Sequence, residues 1–298
     1  MVLRLGRRSL GERVFDAFNV GILLLMTISF IIPILITYSS SITNEVVLLK
    51  EGYQILPRDV SFAAYKFLFR SNNNVMTTIG NSLVITLVGT SFSILVTTML
   101  AYGLSIRDLP FNRALTLFVV FTMYFSGGII PSYIVYKGYG ISNSLIVQFV
   151  INMVNPFFMI IMRNYYASLP HDIVESGRID GANEFRIFSS IILPLCKPML
   201  ASLVIFYGVL YWNDWTTFTF YCSSTSVMPM PVLMQRMMRF ADEILVATGA
   251  GSIPAMGIVP REGIKMSLVV IITLPIIVCY PFLQKYFVKG MTLGAVKG

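Results

Sequence analysis

Charge is scarce in this chain. Only 12% of its 298 residues are charged, whereas a typical soluble domain has about 25%. A soluble surface needs charged side chains, so this shortage argues against a soluble domain. Hydrophobic residues, in contrast, make up 56% of the sequence. The composition therefore predicts an integral membrane protein.

Residues that commonly carry catalysis or bind metals are also few. The chain has one histidine, His171, and three cysteines without paired spacing, Cys196, Cys222 and Cys279. This arrangement is not typical of a disulfide framework or a metal site. The sequence contains neither the H-E-x-x-H pattern of a metalloprotease nor the G-x-x-x-x-G-K-[ST] loop that binds phosphates. We therefore expect no catalytic residue, metal or cofactor on this chain, and any ATP-Mg would bind to a partner.

The sequence does contain a series of apolar runs that are long enough to cross a bilayer, which takes about 20 residues. Their approximate bounds are 15–38, 76–105, 113–136, 143–164, 198–221 and 264–284. A helix satisfies its own backbone hydrogen bonds in lipid, so each run predicts a transmembrane helix. We expect an all-α, multi-pass protein of the cell (inner or plasma) membrane with six spans.

The basic residues predict the orientation of these spans. If both termini are cytoplasmic, 13 of the 22 basic residues lie on the inner side: Arg4, Arg7, Arg8, Arg13, Arg107, Arg113, Arg163, Arg178, Arg186, Lys197, Lys285, Lys289 and Lys297. Cytoplasmic segments carry the excess of Lys and Arg in membrane proteins. The net charge of +8 then reflects topology and contact with anionic lipid. No basic stretch interleaved with aromatics indicates nucleic-acid binding.

One polar segment, HDIVESGRIDGANEFRIFSSIILP (171–194), interrupts the apolar pattern. The predicted orientation places it in the cytoplasm between the fourth and fifth spans. Pro170 and Asp172 are helix-start signals, Gly181 can break or bend a helix, and Pro194 is expected to end the segment. A pair of short amphipathic helices on the inner face of the membrane fits these signals.

The spacing within this segment is specific. The letters E-S-G at 175–177 are followed by G at 181 and by I-x-L-P at 191–194. This pattern resembles the EAA loop, E-A-A-x3-G-x9-I-x-L-P, of the permease subunits of binding-protein-dependent ABC importers. The departure is Ser-Gly where the family most often has Ala-Ala. Both replacements are small, so close docking of the helix is retained.

The resemblance implies that this loop docks into a cleft on a separate ATPase and acts as a lever on the membrane helices. Glu175 is then expected to pair with an ATPase arginine, and Arg178 and Arg186 with acidic partners. An ordinary surface helix with solvated charges is the alternative. The residues assigned to ATPase coupling are Glu175, Ser176, Gly177, Arg178, Asp180, Gly181, Ala182, Arg186, Leu193 and Pro194.

Further stretches resemble carbohydrate permeases of the maltose G-subunit class. They are Asn81-Ser82, Ala101-Tyr102, Trp212-Asn213-Asp214 and the tail YPFLQKYFVKGMTLGAVKG (280–298). The stretch FSGGIIP at 125–131 is similar to the lipo-oligosaccharide and alginate importer branch. The predicted importer domain, 75–298, holds five helices, the 171–194 loop and a cytoplasmic tail at 285–298. Residues 1–74, with the N-terminal segment, first span and outer loop, match only in hydropathy.

The resemblance implies a type I ABC importer permease fold and the import of an oligosaccharide, for which an alginate-like, uronate-containing chain is the best match. Its implied partners are a second, homologous permease, an ATPase dimer and an extracytoplasmic solute-binding protein. An ion-coupled secondary sugar transporter is the alternative, and it predicts paired intramembrane carboxylates or two repeated halves. Asp214 is the one carboxylate deep inside a predicted span, and no repeat is visible. The sequence also leaves open the interpretation that the chain is a scaffold subunit.

Two groups of residues are candidates for the substrate path. The first surrounds Asp214, which either lines the path beside aromatic faces that suit sugar rings or satisfies the backbone at a helix end. The second lies on a stripe of small residues down the second span, which indicates either close helix packing or a path lined by hydroxyls. The path candidates are Trp212, Asn213, Asp214, Trp215, Ser93 and Thr97.

Three other segments carry expectations. Gly127, Gly128 and Pro131 predict that the third span bends or unwinds towards its outer end. The stretch 228–245 has a helical apolar period, and it either docks the binding protein or lies on the outer leaflet. The tail at 285–298 either reaches the ATPase or anchors the chain at the membrane surface.

Overall fold

The computed structural model describes residues 10–70, 74–106, 108–248 and 260–295, with side chains up to 240 in the third range and up to 281 in the last. Nearly all of these residues are helical, and no strand occurs among them apart from an isolated bridge between Thr43 and Val60. The all-α prediction is confirmed. Arg4, Arg7, Arg8 and Arg107, and the tail side chains at 285–298, lie outside the described residues.

Fifteen α-helices are described, together with a π-helical stretch at Ile187–Ile192 and a 3-10 turn at Thr225–Val227. The α-helices are α1 (Leu10–Ser41), α2 (Glu45–Glu51), α3 (Ala63–Leu68), α4 (Val75–Ser105), α5 (Asn112–Tyr124), α6 (Ile129–Gly138), α7 (Leu145–Ile151), α8 (Pro156–Ala167), α9 (His171–Ile179), α10 (Glu184–Arg186), α11 (Leu193–Leu195), α12 (Lys197–Trp212), α13 (Thr216–Tyr221), α14 (Met230–Thr248) and α15 (Arg261–Ala295).

Three of the described helices are long and apolar enough to cross a membrane without a partner. They cover Leu10–Ser41, Val75–Ser105 and Arg261–Pro281. Three helix pairs meet the same criterion only jointly: α5 with α6, α7 with α8, and Glu184–Leu195 with α12. The described part of the chain thus has up to six spans if each bent pair is counted as one. The cytoplasmic position of both termini stays a prediction.

The breaks within the bent pairs have local causes. The α5–α6 pair bends by 116° at Gly128, whose φ of +88° suits a residue without a Cβ. This confirms the bend predicted for the third span. The α7–α8 pair bends by 51°, and α8 then begins at Pro156. Proline has no backbone N–H, but the N–H groups of the first helical turn have no partner within the helix, so no hydrogen bond is lost there.

The 171–194 segment ends one residue after Pro194. Pro194 lies within α11, which ends at Leu195, and Cys196 caps it where the pair formed with α12 bends by 83°. The π-helical stretch Ile187–Ile192 directly precedes it. A π-helical turn changes the hydrogen-bond register, so the helix continues past a residue that has no N–H.

The chain forms two compact units, one of residues 1–73 and 237–271 and the other of 74–236 and 272–298. In the first unit, the Glu45 carboxylate lies at the start of α15. It accepts hydrogen bonds from the backbone N–H groups of Glu262 (2.9 Å) and Gly263 (3.0 Å) and is only 6% exposed. A carboxylate at a helix N-terminus satisfies N–H groups that have no partner within the helix. The predicted division of the chain at 74/75 stays a prediction.

The stability of this first unit is expected to depend on pH through Glu45. Burial raises the pKa of its carboxyl, and this outweighs the lowering by the N–H groups of Gly263 and Glu262. Its contribution to stability is therefore complete below the ordinary pKa and is lost as the pH rises through the raised value. The melting temperature of the wild-type protein should fall relative to that of Glu45→Gln across this pH window.

Thermal unfolding of the purified protein between about pH 4 and pH 8 measures this difference. Glu51→Gln is the matched control, because Glu51 lies on the same helix in an exposed ion pair with Arg58. If the melting curves of wild type and Glu45→Gln stay parallel across the window, the carboxylate does not carry the effect.

The second unit is built around α4, which packs against α8 and α12. Met159, Met162, Leu203 and Tyr207 in its core have no exposed surface. The stripe of small residues on α4 allows α12 to come close. A Cβ on Gly89 would lie only 2.7 Å from Cζ of Tyr211. Close approach across small residues is typical of helix packing in membranes.

The start of α14 is also part of this unit. The backbone N–H of Met230 donates to Ser82 Oγ (2.7 Å), and the side chains of Met230, Val232 and Leu233 are buried. The predicted helix in 228–245 is therefore present, but its first turn packs on α4. Whether its remainder docks a binding protein stays a prediction.

Candidate functional site

The 171–194 segment forms a helical hairpin, here called the coupling hairpin, in which α9 is one arm and 184–195 is the other. Gly181 makes the turn with φ +78°, a left-handed conformation that favours glycine. Asn183 then caps the second arm, since its Oδ1 accepts a hydrogen bond from the backbone N–H of Arg186 (2.8 Å). The predicted break at Gly181 between two short helices is confirmed.

The two arms touch at Gly177, the third letter of the motif. Gly177 is buried, and a Cβ there would lie 3.0 Å from Cδ1 of Ile191 and 3.3 Å from Cγ1 of Ile187. Alanine fits only if the end of the Ile191 side chain shifts slightly, whereas a larger side chain would force the arms apart. The requirement for small residues at 176 and 177 thus applies, within this chain, to position 177, because Ser176 is exposed.

A charged network connects the hairpin with the end of α4. The Arg178 guanidinium donates from Nε to Glu184 Oε1 (2.9 Å), and its second nitrogen forms a 2.8 Å ion pair with the same oxygen. The hydroxyl of Tyr102 donates to the other oxygen, Glu184 Oε2 (2.9 Å). Arg178, predicted to meet an acidic ATPase residue, therefore has an acidic partner in its own chain. Glu184 was missed because its partner Tyr102 lies 82 positions away in the sequence.

The remaining motif residues present a mostly open surface. Glu175, Asp180, Arg186 and Pro194 are exposed, while Ala182 and Leu193 are half-buried against the core. Two large apolar side chains join this surface: Ile179 is 81% exposed and Phe185 is 67% exposed. A contact role for these two residues was not predicted from the sequence. The available signal was an apolar residue beside charged residues on a predicted cytoplasmic helix. Exposed apolar side chains on a segment predicted to lie in the cytoplasm are candidates for contact with a partner protein.

Asp214 lies at a break and not inside a continuous helix. The predicted fifth span, 198–221, is divided because α12 ends at Trp212 and α13 begins at Thr216. Asp214 Oδ1 accepts hydrogen bonds from the N–H groups of Thr216 and Thr217, both at 3.1 Å, and thereby caps α13. This is the helix-end arrangement that was one of the two interpretations of Asp214.

The other oxygen of Asp214 reaches a second break. Asn152 follows the end of α7, and its Nδ2 donates to Asp214 Oδ2 (2.6 Å). The α7–α8 break and the α12–α13 break are thus joined side chain to side chain. Backbone groups released by a break at membrane depth need such protein partners, because lipid offers none.

The other path candidates divide by exposure. Asn213 and Trp215 are exposed, whereas Trp212 is buried and donates from Nε1 to the Ile272 carbonyl (3.1 Å). Ser93 and Thr97 have no exposed surface and hydrogen-bond to Tyr211 (2.9 Å) and Tyr207 (2.7 Å). These two hydroxyls therefore occupy the helix-packing position that was weighed against a path-lining role.

Exchanging the carboxylate at 214 for an amide should destabilise the protein. Asp214→Asn keeps one oxygen to cap α13, but the Asn152 amide has to turn round so that its oxygen accepts from the new N–H₂, and the bond to a charged acceptor is lost. Because both side chains are half-buried, we expect a loss of about 0.5–1.5 kcal/mol, the net contribution of a typical hydrogen bond. The exchange Asp214→Asn with Asn152→Asp should restore much of the melting temperature. If the double variant is as unstable as the sum of the single variants, the pair is not what joins the two breaks.

Among the residues with described side chains, no group of three or more His, Cys, Asp or Glu residues could hold a metal ion. What the site offers is a helical hairpin with an open, partly apolar face next to several membrane-spanning helices. This combination is typical of a membrane transport subunit that works together with other proteins.

The chain belongs to the family of binding-protein-dependent transport system inner membrane components, which it matches over residues 115–293. It is 34% identical to the polygalacturonan/rhamnogalacturonan transport system permease protein YtcP of Bacillus subtilis (strain 168), over 96% of this chain and 99% of that one. It is 36% identical to protein LplC of the same organism, over 96% of each chain. The predicted family, an ABC importer permease, is confirmed.

The fold agrees with this assignment. A crystal structure of a bacterial ABC transporter involved in the import of the acidic polysaccharide alginate contains a chain that superposes with a TM-score of 0.82 and 25% identity, covering 95% of this chain and 99% of that one. The protein is therefore a multi-pass, pore-forming permease subunit of an ATP-driven importer, with the type I permease fold. It is a transport subunit and not an enzyme.

Proposed function

We propose that this permease imports an oligosaccharide by alternating access and that the coupling hairpin receives the movement of a separate ATPase. The observation that carries the proposal is the open face of the hairpin, on which Glu175 lies one helical turn before the exposed Ile179, while the exposed Phe185 lies on the second arm. ATP binding would close the ATPase pair, displace the hairpin and open the outer side of the pore.

The chemistry of this face fits a protein cleft better than water or lipid. Ile179 and Phe185 supply apolar surface, and aromatic and aliphatic anchors of this kind contribute much of the affinity at protein interfaces. Glu175 supplies a charge for an arginine of the ATPase, and Arg186 one for an acidic residue. The charges would fix the orientation of the hairpin, and the apolar pair would hold it.

The energy for transport has to come from the partner. Because the sequence has no phosphate-binding loop, ATP-Mg is assigned to an ATPase dimer that binds beneath the permease. A second, different permease would complete the pore, and an extracytoplasmic binding protein would deliver the sugar. The secondary-transporter alternative is set aside, since the family defines a binding-protein-dependent system.

For the substrate we propose a uronate-containing oligosaccharide. The names of two similar proteins point this way. One is a permease of a polygalacturonan/rhamnogalacturonan transport system, and the other belongs to a transporter involved in the import of the acidic polysaccharide alginate. The exposed Asn213 and Trp215 beside Asp214 are the path candidates that remain accessible. An amide and an indole ring suit sugar hydroxyls and ring faces, and most selection would rest with the binding protein.

The test of the docking proposal is co-purification of the tagged chain from its native membrane in a mild detergent, followed by mass spectrometry. We expect a second six-helix permease and an ATPase. Phe185→Ser and Ile179→Ser should each reduce the recovered ATPase about tenfold or more, as truncation of an interface anchor commonly does. Phe111→Ser is the matched control, because Phe111 is 82% exposed but lies outside the hairpin, before α5.

Equal ATPase recovery with wild type, Phe185→Ser and Ile179→Ser would show that the apolar pair is not an anchor. Recovery of the chain without any ATPase, in a form that still takes up sugar, would overturn the coupled mechanism. Uptake of trigalacturonate by the reconstituted complex, compared with maltotriose, tests the substrate proposal separately.

A further inference from the structure

The contacts between its two arms make the coupling hairpin a rigid body. Its arms meet at the buried Gly177, and the Arg178–Glu184 ion pair joins them a second time next to the turn. The N–H of Ala182 also donates to the Gly177 carbonyl (3.0 Å) across the turn. A push on the exposed face of α9 therefore moves both arms together.

The second arm of the hairpin contacts the end of α4 through buried side chains, since Ile187, Phe188 and Ile192 belong to one apolar cluster with Tyr102. A cavity of about 200 Å³ lies between them, lined on the α4 side by Tyr102 and Ser105 and on the hairpin side by Val174, Arg178 and Ile192. At this cavity the two elements are not in apolar contact, so the polar connection beside it runs through the side chain that reaches across from α4.

Tyr102 provides that connection. Its ring packs near Phe188 of the second arm, with centroids 5.2 Å apart, and its hydroxyl donates to Glu184 Oε2 (2.9 Å). Glu184 holds Arg178 with its other oxygen, so one carboxylate joins α9, the second arm and α4. Hydrogen bonds to a charged acceptor are shorter and stronger than neutral ones.

We propose that Glu184 is a positioning residue for transport and that the Arg178–Glu184–Tyr102 network transmits movement of the hairpin to α4. This inference rests on the proposed docking of the ATPase at the hairpin. Arg178 and Glu184 are 42% and 49% exposed in their side chains, so their ion pair adds little to stability. Its loss changes the position of the hairpin relative to α4 and leaves the fold intact.

The sharpest variant is Tyr102→Phe, which removes one hydroxyl and keeps the ring contacts. Tyr166→Phe is the matched control: Tyr166 packs edge-on against Tyr102 at 5.9 Å, and its buried hydroxyl has no hydrogen-bond partner. Both variants lose the same atom from the same cluster, so a general effect on packing appears in both. Glu184→Gln weakens both interactions of the Glu184 side chain, with Arg178 and with Tyr102. Its effect on transport should therefore be similar to that of Tyr102→Phe.

The experiment uses the complete complex in proteoliposomes, with spin labels on Ser190 of the hairpin and Met99 of α4, both exposed positions, and with Cys279 replaced by serine. Double electron–electron resonance spectroscopy gives the distance between the labels before and after the complex is trapped with ATP and vanadate. In wild type and Tyr166→Phe we expect one narrow distance in each state. In Tyr102→Phe and Glu184→Gln we expect a broad distribution after trapping, and about tenfold less trigalacturonate imported per ATP hydrolysed.

The outcomes separate the two proposals. Narrow distances and an unchanged import ratio in Tyr102→Phe overturn the positioning role. A wild-type complex whose distance does not respond to ATP overturns the docking proposal, and with it this inference. If the wild type responds to ATP but imports no trigalacturonate, only the substrate proposal fails, and the distances still decide the role of Glu184. If Tyr166→Phe broadens the distances and lowers the import ratio as much as Tyr102→Phe does, the cause is packing, and the positioning role of Glu184 is overturned.

Discussion

Gly89→Val is expected to abolish assembly of the permease. Gly89 lies on α4 where α12 comes closest, and a Cβ there would be 2.7–2.9 Å from three ring atoms of Tyr211. The ring cannot move aside without breaking two bonds of its hydroxyl, to Ser93 Oγ (2.9 Å) and to the Phe149 carbonyl (3.1 Å). Overpacking of this kind costs about 1–3 kcal/mol, and valine adds two further methyl groups beyond that Cβ.

The measurement is the yield of assembled complex by size-exclusion chromatography, together with its melting temperature. The control is Gly80→Val on the same helix, where a Cβ meets nothing within 4 Å. This control carries the same valine in α4 without the contact with α12. Normal assembly of the Gly89 variant would mean that α4 and α12 are not held together at this contact.

Glu175→Lys is expected to lower ATP-driven uptake tenfold or more while the complex still assembles. The side chain of Glu175 is exposed on α9 and does not support the fold, so the hairpin should form normally. Reversing its charge places a lysine against the arginine proposed on the ATPase. The loss of a hydrogen bond to a charged group, about 1.5–3 kcal/mol, is enough to lower coupled uptake tenfold or more. The apolar Ile179 and Phe185 would keep the ATPase in the purified complex.

Uptake into vesicles, ATP hydrolysis and subunit composition are measured on the same preparation. Asp172→Lys provides the matched charge reversal, because Asp172 is exposed in the first turn of the same helix. It should cost only the favourable interaction of an acidic residue with the helix N-terminus, about 0.3–1 kcal/mol. Normal uptake by Glu175→Lys, or equal loss in both variants, would contradict a specific role for position 175.

Much of the coupling hairpin could be predicted from the sequence because its signals are local. Gly181 marks a turn, and the motif spacing identifies both arms and their family. The predicted end of the segment at Pro194 was one residue short. The π-helical stretch before it has no sequence signal comparable to a cap or a glycine, so the continuation of the helix to Leu195 could not be read from the residues.

The bend of the third span followed from its Gly-Gly pair, whereas the interruption of the fifth was missed. Trp212 to Trp215 contain no Gly or Pro, and the one local signal, a helix-end role of Asp214, was an alternative that the apolar run of 198–221 did not favour. The break is stabilised by Asp214, which caps α13 and bonds to Asn152, 62 residues away. A carboxylate that looks like an intramembrane charge in sequence thus acts as a helix cap in the structure. Its place in a substrate path stays a proposal.

The sequence by itself determined the membrane class, the helical architecture, the family and the position of the coupling hairpin. Composition, apolar run length and motif spacing are properties of neighbouring residues, and they suffice for these conclusions. Only the tertiary structure decided which polar groups meet: Glu45 with the start of α15, Ser93 with Tyr211, and Glu184 with Tyr102. Each of these pairs joins residues more than 80 positions apart, and their distance in space depends on how the helices pack.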